Sequence, residues 1–346
     1  MRKNAELKKL LKNIALSGFW LLALTGLTKP SPLPPQPPAF VEAELPTSEG
    51  TSPPMKPPGG ANAFEREKLA SWCKDVKKIL NNPFNWHMDP CAKIAWKIGG
   101  WSVQERPLVY HEMGDPASGN TTLVLTMVHG DENTPLYLGL RLIQWIRENQ
   151  SQVEGAHIVI APLVNPDGFL KTKRTRTNVR GVDTNRNFKT SDWSAKALAS
   201  WKSRYKSDPR RFPGFEPSSE PETKFQEALI ERFRPKKILS IHAPLNVTDY
   251  DGPSPLSLER FQEDYVSECI RLQKAMKAVS TGYFPGSLGN FAGQELGIPT
   301  VTLELPSADF RKAKSYWEKF QPGIHTMITF VVPPSSSPLP KPNGNE

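Results

Sequence analysis

One short segment of the sequence combines two residues that bind metal ions well. The segment MVHGDENTPL, residues 127–136, places His129 three residues before Glu132 and follows an apolar run. Imidazole and carboxylate groups are ligands that zinc prefers, and a catalytic zinc site needs three protein ligands and one open position. The pair alone is weak evidence, because a polar turn after a strand can hold the same residues. His242, far along the chain, is the candidate third ligand.

An acidic residue also lies near the end of a later apolar segment, IPTVTLEL, residues 298–305. Metal-assisted hydrolysis needs a carboxylate that is not a ligand, because the water's proton must be accepted and passed to the leaving nitrogen. We predict that Glu304 has this role. A solvated strand end is the structural alternative.

A basic segment, TRTNVRGVDTNRNF, lies between these two regions and contains Arg176, Asn185 and Arg186. Arginine binds carboxylates through paired, charge-assisted hydrogen bonds. One such group could hold a terminal carboxylate of a substrate while another stabilises the oxyanion of a tetrahedral intermediate. A salt-bridged surface loop is the alternative.

The elements that must position these residues alternate between two periodicities. Continuous β-prone segments predict buried strands, whereas spaced apolar residues predict helices. The strands are predicted at 121–128, 157–164, 236–241 and 298–305, and the helices at 134–150, 219–233 and 258–279. This order predicts an α/β domain with a mixed, largely parallel sheet and helices on both faces. Ligand sites in such sheets lie beyond the carboxyl ends of the strands, where the polar motifs fall.

The two ends of the chain differ in composition from its middle. Residues 1–28 combine early Lys and Arg residues with a 14-residue apolar stretch, which predicts a signal peptide or signal anchor. Residues 29–61 are predicted to be a Pro-rich linker, 62–332 the catalytic domain and 333–346 a disordered tail. We therefore predict export to a periplasm or cell surface, with a possible membrane tether through residues 14–27, and leave open whether that segment is cleaved.

Cysteines and net charge add weaker information. Cys73 and Cys91 could form a disulfide in an oxidising compartment, whereas Cys269 is predicted to be an ordinary packed residue. The net charge of +9 does not predict nucleic-acid binding, because no aromatic residues interleave the basic run at 171–180 and an anionic substrate explains the charge as well. Residues 62–95 could form an extra helix or cover part of a cleft.

The ordered motifs resemble those of the zinc carboxypeptidase family, over about residues 96–332. HxxE alone is unspecific, but the full series is specific: HGDE, NPDG, GVDTNRNF, SIH, PGSLGNFAG and TVTLELP. The segment GGWSVQERPLVY, residues 99–110, is similar to the first strand of that family. Within it, IHAPL and PGSLG resemble the murein peptide amidases.

The resemblance implies a single zinc carboxypeptidase-like domain that binds one zinc ion through His129, Glu132 and His242. It also implies roles for further residues: Arg176 polarising the scissile carbonyl, Asn185 and Arg186 binding the terminal carboxylate, Glu304 as general base and then acid, and Tyr283 as the family's mobile tyrosine. A packed aromatic residue is the alternative for Tyr283.

The substrate that the resemblance implies is a peptidoglycan peptide, cleaved between γ-D-glutamate and meso-diaminopimelate. Diaminopimelate carries a second amino and a second carboxyl group, so we predict that Asp249 or Asp251 contacts that ammonium group. A turn built from Asp and Gly is the alternative for these residues. We expect a monomer.

Three other functions remain open at this level. A general metallocarboxypeptidase would share the zinc chemistry but have a different pocket. A zinc deacylase of small N-acyl amino acids would share the ligand set. A membrane-tethered, non-catalytic wall-binding module would have no use for Glu304.

Overall fold

The computed structural model describes residues 62–252, 277–279 and 284–332. Eight strands lie in these segments: β1 (Lys97–Trp101), β2 (Pro107–Gly114), β3 (Thr121–Thr126), β4 (His157–Ala161), β5 (Lys237–His242), β6 (Val247–Asp251), β7 (Lys277–Val279) and β8 (Thr300–Glu304). The main helices are α1 (Ala63–Asn81), α2 (Asn133–Glu148), α3 (Pro166–Phe169), α4 (Trp193–Ser203), α5 (Pro221–Phe233) and α6 (Ala313–Thr329), together with a π-helix (Gly289–Glu295).

One mixed sheet contains all eight strands, in the order β1-β2-β4-β3-β5-β8-β6-β7. Its four central strands, β4, β3, β5 and β8, run parallel. Antiparallel pairs flank them, with β2 against β4 on one side and β6 against β8 on the other. The predicted mixed, largely parallel sheet is confirmed.

Both faces of the sheet are covered, as predicted. Along β3 the side chains alternate, so Val124 packs with α1, α2 and α6 while Leu123 and Leu125 pack with α5 and the π-helix. Burial on both faces explains why residues 123–125 in the middle of β3 are all apolar and show no polar–apolar alternation. No helix among the described residues combines the length and apolar character needed to cross a bilayer.

Two predicted elements were wrong in detail. The single strand expected over residues 99–110 is a hairpin of β1 and β2, because the chain turns at Ser102, whose backbone N–H bonds the Arg106 carbonyl at 2.8 Å. The helix expected over 258–279 does not include residues 277–279, which form β7 beside β6; residues 258–276 lie outside the described part. At residues 247–251 the structure has strand β6, paired with β8, and so does not support the Asp–Gly turn considered as the alternative for Asp249 and Asp251.

The segment before the sheet is an extra helix. Asn62 caps α1 by accepting from the Glu65 backbone N–H at 2.8 Å, and the Glu65 carboxylate accepts from the Asn62 N–H at 2.9 Å. Trp72, Val76 and Leu80 of α1 are buried against the sheet and α2. The cavity that contains His129 and Glu132 has no residue from 62–95 in its described lining. The helix therefore completes the core and does not cover the cleft.

A disulfide joins Cys73 of α1 to Cys91, at a sequence separation of 18 and a Cα–Cα distance of 5.9 Å. Closing a loop of this length restricts the unfolded chain by about 3 kcal/mol. The bond holds α1 to the connection that leads into β1.

We expect reduction of this disulfide to lower the free energy of unfolding by about 3 kcal/mol. Denaturant unfolding with and without reductant measures the effect. The variant carrying Cys73→Ala and Cys91→Ala should have the free energy of unfolding of the reduced protein, and reductant should not change it. Cys269→Ala is the control, because it leaves the disulfide intact. Equal stability of oxidised and reduced protein would contradict the expectation.

Candidate metal centre and substrate cavity

Three buried side chains converge where β3 and β5 end. His129 and Glu132 follow β3, His242 is the last residue of β5, and one ligand atom from each lies within 4.8 Å of the others. The Nδ1 atom of His129 is 2.7 Å from Glu132 Oε1, and Nδ1 of His242 is 2.9 Å from Glu132 Oε2. The two Nδ1 atoms face each other at 3.2 Å. The sequence-predicted set thus forms one cluster.

Each imidazole is also held at its other nitrogen. Nε2 of His129 lies 3.1 Å from Asp183 Oδ1, and Nε2 of His242 lies 2.9 Å from Ser240 Oγ. Histidines that bind metals usually donate the second ring N–H to such a partner, which orients the ring and leaves the first nitrogen as a lone-pair donor. Two imidazoles and a carboxylate held in this way fit zinc.

The charge of Glu132 is stabilised by its surroundings. Burial raises the pKa of this carboxyl. The effect of His129 and His242 is opposite and larger, so the pKa of Glu132 lies below its ordinary value. The backbone N–H of Ala243 also donates to Oε2 at 3.2 Å. Glu132 is therefore ionised, as a ligand must be.

Asp183 links the cluster to the basic loop, and the sequence interpretation gave it no role. Its carboxylate accepts from Arg176 Nε at 2.8 Å and lies beside His129. Burial raises the pKa of Asp183, but Arg176 and His129 lower it well below its ordinary value. Burial lowers the pKa of Arg176 in turn, and Asp183 and Glu132 more than offset that, so its pKa is raised. Arg176 Nη1 also lies 3.4 Å from Glu132 Oε1.

The NPDG motif supports this loop and is absent from the described cavity lining. Asn165 accepts from Gly168 N at 2.8 Å and donates through Nδ2 to the Arg176 carbonyl at 3.2 Å. Gly130 lies so close to Gly168 that a Cβ on Gly130 would be 2.3 Å from the Gly168 carbonyl carbon. The two motif glycines allow the HGDE and NPDG backbones to pack together.

Glu304 lies beside the metal cluster on the neighbouring strand. It is the residue of β8 that pairs in register with His242 of β5, and its Oε2 accepts from Leu245 N at 3.4 Å. Burial is the main cause of a raised pKa at this carboxyl.

Asn185 and Arg186 lie on a turn that contacts the PGSLG segment. Asn185 Oδ1 accepts from Leu288 N at 2.8 Å, which leaves its amide NH₂ as the end that can donate to a carboxylate. Gly286 has φ of +77°, and a Cβ there would meet the Arg186 carbonyl oxygen at 2.2 Å, so glycine is required. Burial lowers the pKa of Arg186, and a bound anion would offset that cost.

Asp249 and Asp251 lie on β6, and neither is in a turn. Gly289 and Gly293 of the π-helix pack on Asp251, since a Cβ on Gly289 would be 1.9 Å from its Oδ2. Burial, with a smaller contribution from Asp249, raises the pKa of Asp251 to about 7. A nearby ammonium ion would favour its ionised form.

Nearly all of the predicted site residues line one cavity of about 500 Å³. Its lining includes His129, Glu132, His242, Arg176, Asn185, Arg186, Asp249, Asp251 and Glu304. Tyr283 lies outside the described residues. The lining also includes residues that sequence reasoning missed, namely Asp131, Arg204, Tyr205, Arg210, Arg211 and Phe284.

An α/β sheet that presents a buried His–Glu–His cluster and a separate carboxylate in one cavity defines the class of single-metal hydrolases. A family model described as zinc carboxypeptidase matches residues 93–322. The chain therefore belongs to the zinc carboxypeptidase family; it is a zinc metallopeptidase, and its cofactor is one zinc ion.

Individual relatives agree with this family. Murein peptide amidase A of Escherichia coli K12 is 30% identical over 210 residues, which cover 60% of this chain and 79% of the relative. The structure of murein-tripeptide amidase from Escherichia coli O157 has a TM-score of 0.50 at 24% identity, covering 69% of this chain and 93% of that one. Carboxypeptidase A from Helicoverpa armigera has a TM-score of 0.56 at 20% identity, covering 76% and 73% respectively. The two structures support the fold.

Proposed function

We propose that the protein hydrolyses the bond between γ-D-glutamate and meso-diaminopimelate in peptidoglycan peptides. The observation that carries the proposal is that the cavity beside the metal cluster holds both Arg186 and Asp251. A C-terminal diaminopimelate residue carries carboxylates and a free ammonium group, so it needs both charge signs in its pocket. The 30% identity to murein peptide amidase A supports the same substrate class.

The two charge signs lie on either side of one short segment. Leu288 N donates to Asn185, and the next residue, Gly289, packs against Asp251. A substrate residue whose main-chain carboxylate binds Asn185 and Arg186 therefore has Asp251 within the same pocket. We assign the contact with the ammonium group to Asp251, with Asp249 next to it on β6.

His129, Glu132 and His242 would hold the zinc ion. When bound, zinc makes water acidic enough to attack near neutral pH and polarises the substrate carbonyl. Asp183 and Ser240 fix the two imidazole rings so that their Nδ1 atoms point to the shared site.

Glu304 accepts the proton of the attacking water and then donates it to the nitrogen of diaminopimelate as the peptide bond breaks. Its position beside His242 and its raised pKa suit both directions of transfer. Arg176, held by Asp183, stabilises the negative charge that develops on the carbonyl oxygen.

The location follows from the same chemistry. We propose that residues 1–28 direct export, that residues 29–61 are the linker, and that the domain over 62–332 acts as a monomer in the periplasm or at the cell surface. The Cys73–Cys91 disulfide supports an oxidising compartment. A tether through residues 14–27 would hold the enzyme near its wall substrate.

The test is release of diaminopimelate from L-Ala-γ-D-Glu-meso-diaminopimelate by the full chain, followed by mass spectrometry. We expect release that stops with a zinc chelator and returns when zinc is added back. Linear peptides ending in lysine or leucine are the controls. Cleavage of the linear peptides without cleavage of the wall tripeptide would identify a general metallocarboxypeptidase instead.

The acidic contact is tested with the same peptides. The Asp249→Ala and Asp251→Ala variants are compared for their preference between diaminopimelate and leucine at the C-terminus. At least one variant should lose that preference, because the substitution removes a contact with the ammonium group of diaminopimelate, and leucine has no such group. An intact preference in both variants would remove the aspartates from the assignment.

A further inference from the structure

An ion pair borders the cavity next to the metal cluster. Asp131 directly precedes the metal ligand Glu132, and its Oδ2 atom lies 2.8 Å from Nη1 of Arg210. Both members of the pair line the cavity. The side chain of Asp131 is 22% exposed and that of Arg210 is 58% exposed. The pair therefore exposes mainly its cation, and its anion lies behind it.

Contacts at the backbone and at the side chain hold this cation in place. Asp208 begins the short 3₁₀ turn Pro209–Arg211 and accepts from the Arg210 backbone N–H at 2.9 Å. Asp131 then holds the guanidinium group at one nitrogen, and among the described residues it is the one acid that forms an ion pair with Arg210. A guanidinium group has five N–H donors in a planar fork, so the contact through Nη1 leaves donors for a second carboxylate.

The pair lies with the groups that surround the scissile carbonyl. Arg176, to which we assign the carbonyl oxygen, has its Nη1 atom 3.4 Å from Oε1 of Glu132. Asp131 is the neighbour of the same glutamate in the chain and carries Arg210 with it. Arg210 is therefore placed beside the carbonyl and the acyl part of the substrate that extends from it.

The next residue, Arg211, belongs to another part of the cavity wall. Its Cζ atom is 4.9 Å from the centroid of the Tyr205 ring, and the Cζ atom of Arg186 is 6.0 Å from the same centroid. Arg211 is thus grouped with the residue assigned to the main-chain carboxylate of diaminopimelate. Of these two adjacent arginines, Arg210 is the one that lies beside the metal cluster.

We propose that Arg210 binds the free α-carboxylate of the γ-D-glutamyl residue, an inference that rests on the proposed function. A glutamyl residue linked through its side chain keeps its α-carboxylate, so the acyl part of this substrate carries an anion that an ordinary peptide lacks at that place. Paired N–H groups of a guanidinium match the two oxygens of such a group. Asp131 is the positioning residue that holds the guanidinium toward it. Arg210 thereby distinguishes γ-D-glutamate from γ-D-isoglutamine, in which an amide replaces the α-carboxylate.

The test compares two tripeptides that differ in this group alone, L-Ala-γ-D-Glu-meso-diaminopimelate and its γ-D-isoglutaminyl counterpart. We expect the wild type to favour the glutamyl peptide about 10-fold in kcat/KM, mainly through KM, because a charge-assisted hydrogen-bonding pair forms at a partly exposed cation. The variant Arg210→Met keeps an unbranched side chain and removes the charge. It should lose this preference by binding the glutamyl peptide more weakly, with kcat nearly unchanged, and Arg210→Lys should restore part of the preference.

Lys202→Met is the matched control, since Lys202 is an exposed cation nearby in the chain and is absent from the described cavity lining. It should keep the wild-type preference. Equal cleavage of both peptides by the wild type, or an unchanged preference in Arg210→Met, would overturn the inference and leave the proposed function intact. Equal losses on both peptides with a lower Tm would also overturn it, because they indicate a structural role. A wild type that cleaves neither peptide would reject the proposed function, and the inference with it.

Discussion

Replacing Glu304 by glutamine is expected to lower kcat by roughly 10²- to 10⁴-fold, the range that a positioned general acid–base group contributes. Glutamine has nearly the same shape, so it can still accept from Leu245 N and occupy the same place beside His242. It cannot accept a proton from water or return one to the leaving nitrogen. KM should change little, because neither Asn185 nor Arg186 is altered.

Zinc content separates this result from a damaged site. The Glu304→Gln variant should retain one zinc ion per chain, measured by metal analysis, because the three ligands are untouched. Glu318→Gln, on the exposed side of α6, is the control and should be fully active. Turnover within a few-fold of wild type would show that another group carries the proton.

Replacing Asp183 by alanine is expected to weaken zinc binding about 10- to 100-fold, as loss of the partner of a ligating histidine usually does. The same change leaves Arg176 and His129 without their buried carboxylate. Removing one member of a buried ion pair costs about 3–5 kcal/mol, so the free energy of unfolding should fall by that order. Zinc affinity is measured against a competing chelator, and stability by denaturant unfolding of the zinc-free protein.

The isosteric variant Asp183→Asn distinguishes charge from packing. It keeps the volume and can still accept from the Asn185 backbone N–H, which bonds Oδ1 at 3.0 Å in the wild type. Because it lacks the charge, it should show the loss of zinc affinity with a smaller loss of stability. Asp115→Asn, on the exposed connection after β2, serves as control. Unchanged zinc affinity in both Asp183 variants would show that His129 needs no carboxylate partner.

The ligand set could be predicted because it depends on a general property of parallel sheets. Apolar segments showed where strands end, and carboxyl ends of parallel strands share one edge, so His129, His242 and Glu304 had to meet there. The hairpin at Ser102 was missed because apolar content does not show a tight turn. Strand β6 was missed because its Asp and Gly neighbours are typical of turns, while its pairing with β8 depends on a distant segment.

Asp183 and Arg204 could not be identified in the same way. Asp183 lies inside the conspicuous GVDTNRNF segment, and the expectation that a ligating histidine has a carboxylate partner was a usable signal. The sequence alone could not show which acidic residue is that partner, because Asp183 is 54 residues from His129. Arg204 could not be singled out because the ring that it contacts, Phe284, is 80 residues away in the sequence.

The pairing of His242 with Glu304 has a consequence for how this family can diverge. Adjacent strands are held about 4.8 Å apart by their backbone hydrogen bonds, so the spacing between His242 and Glu304, the proposed base, is a property of the sheet and resists mutation. Arg204, Asn185 and Phe284 lie instead in connections outside that ladder. Under the proposed function, these connections can therefore change with the substrate residue while the distance between His242 and Glu304 stays the same.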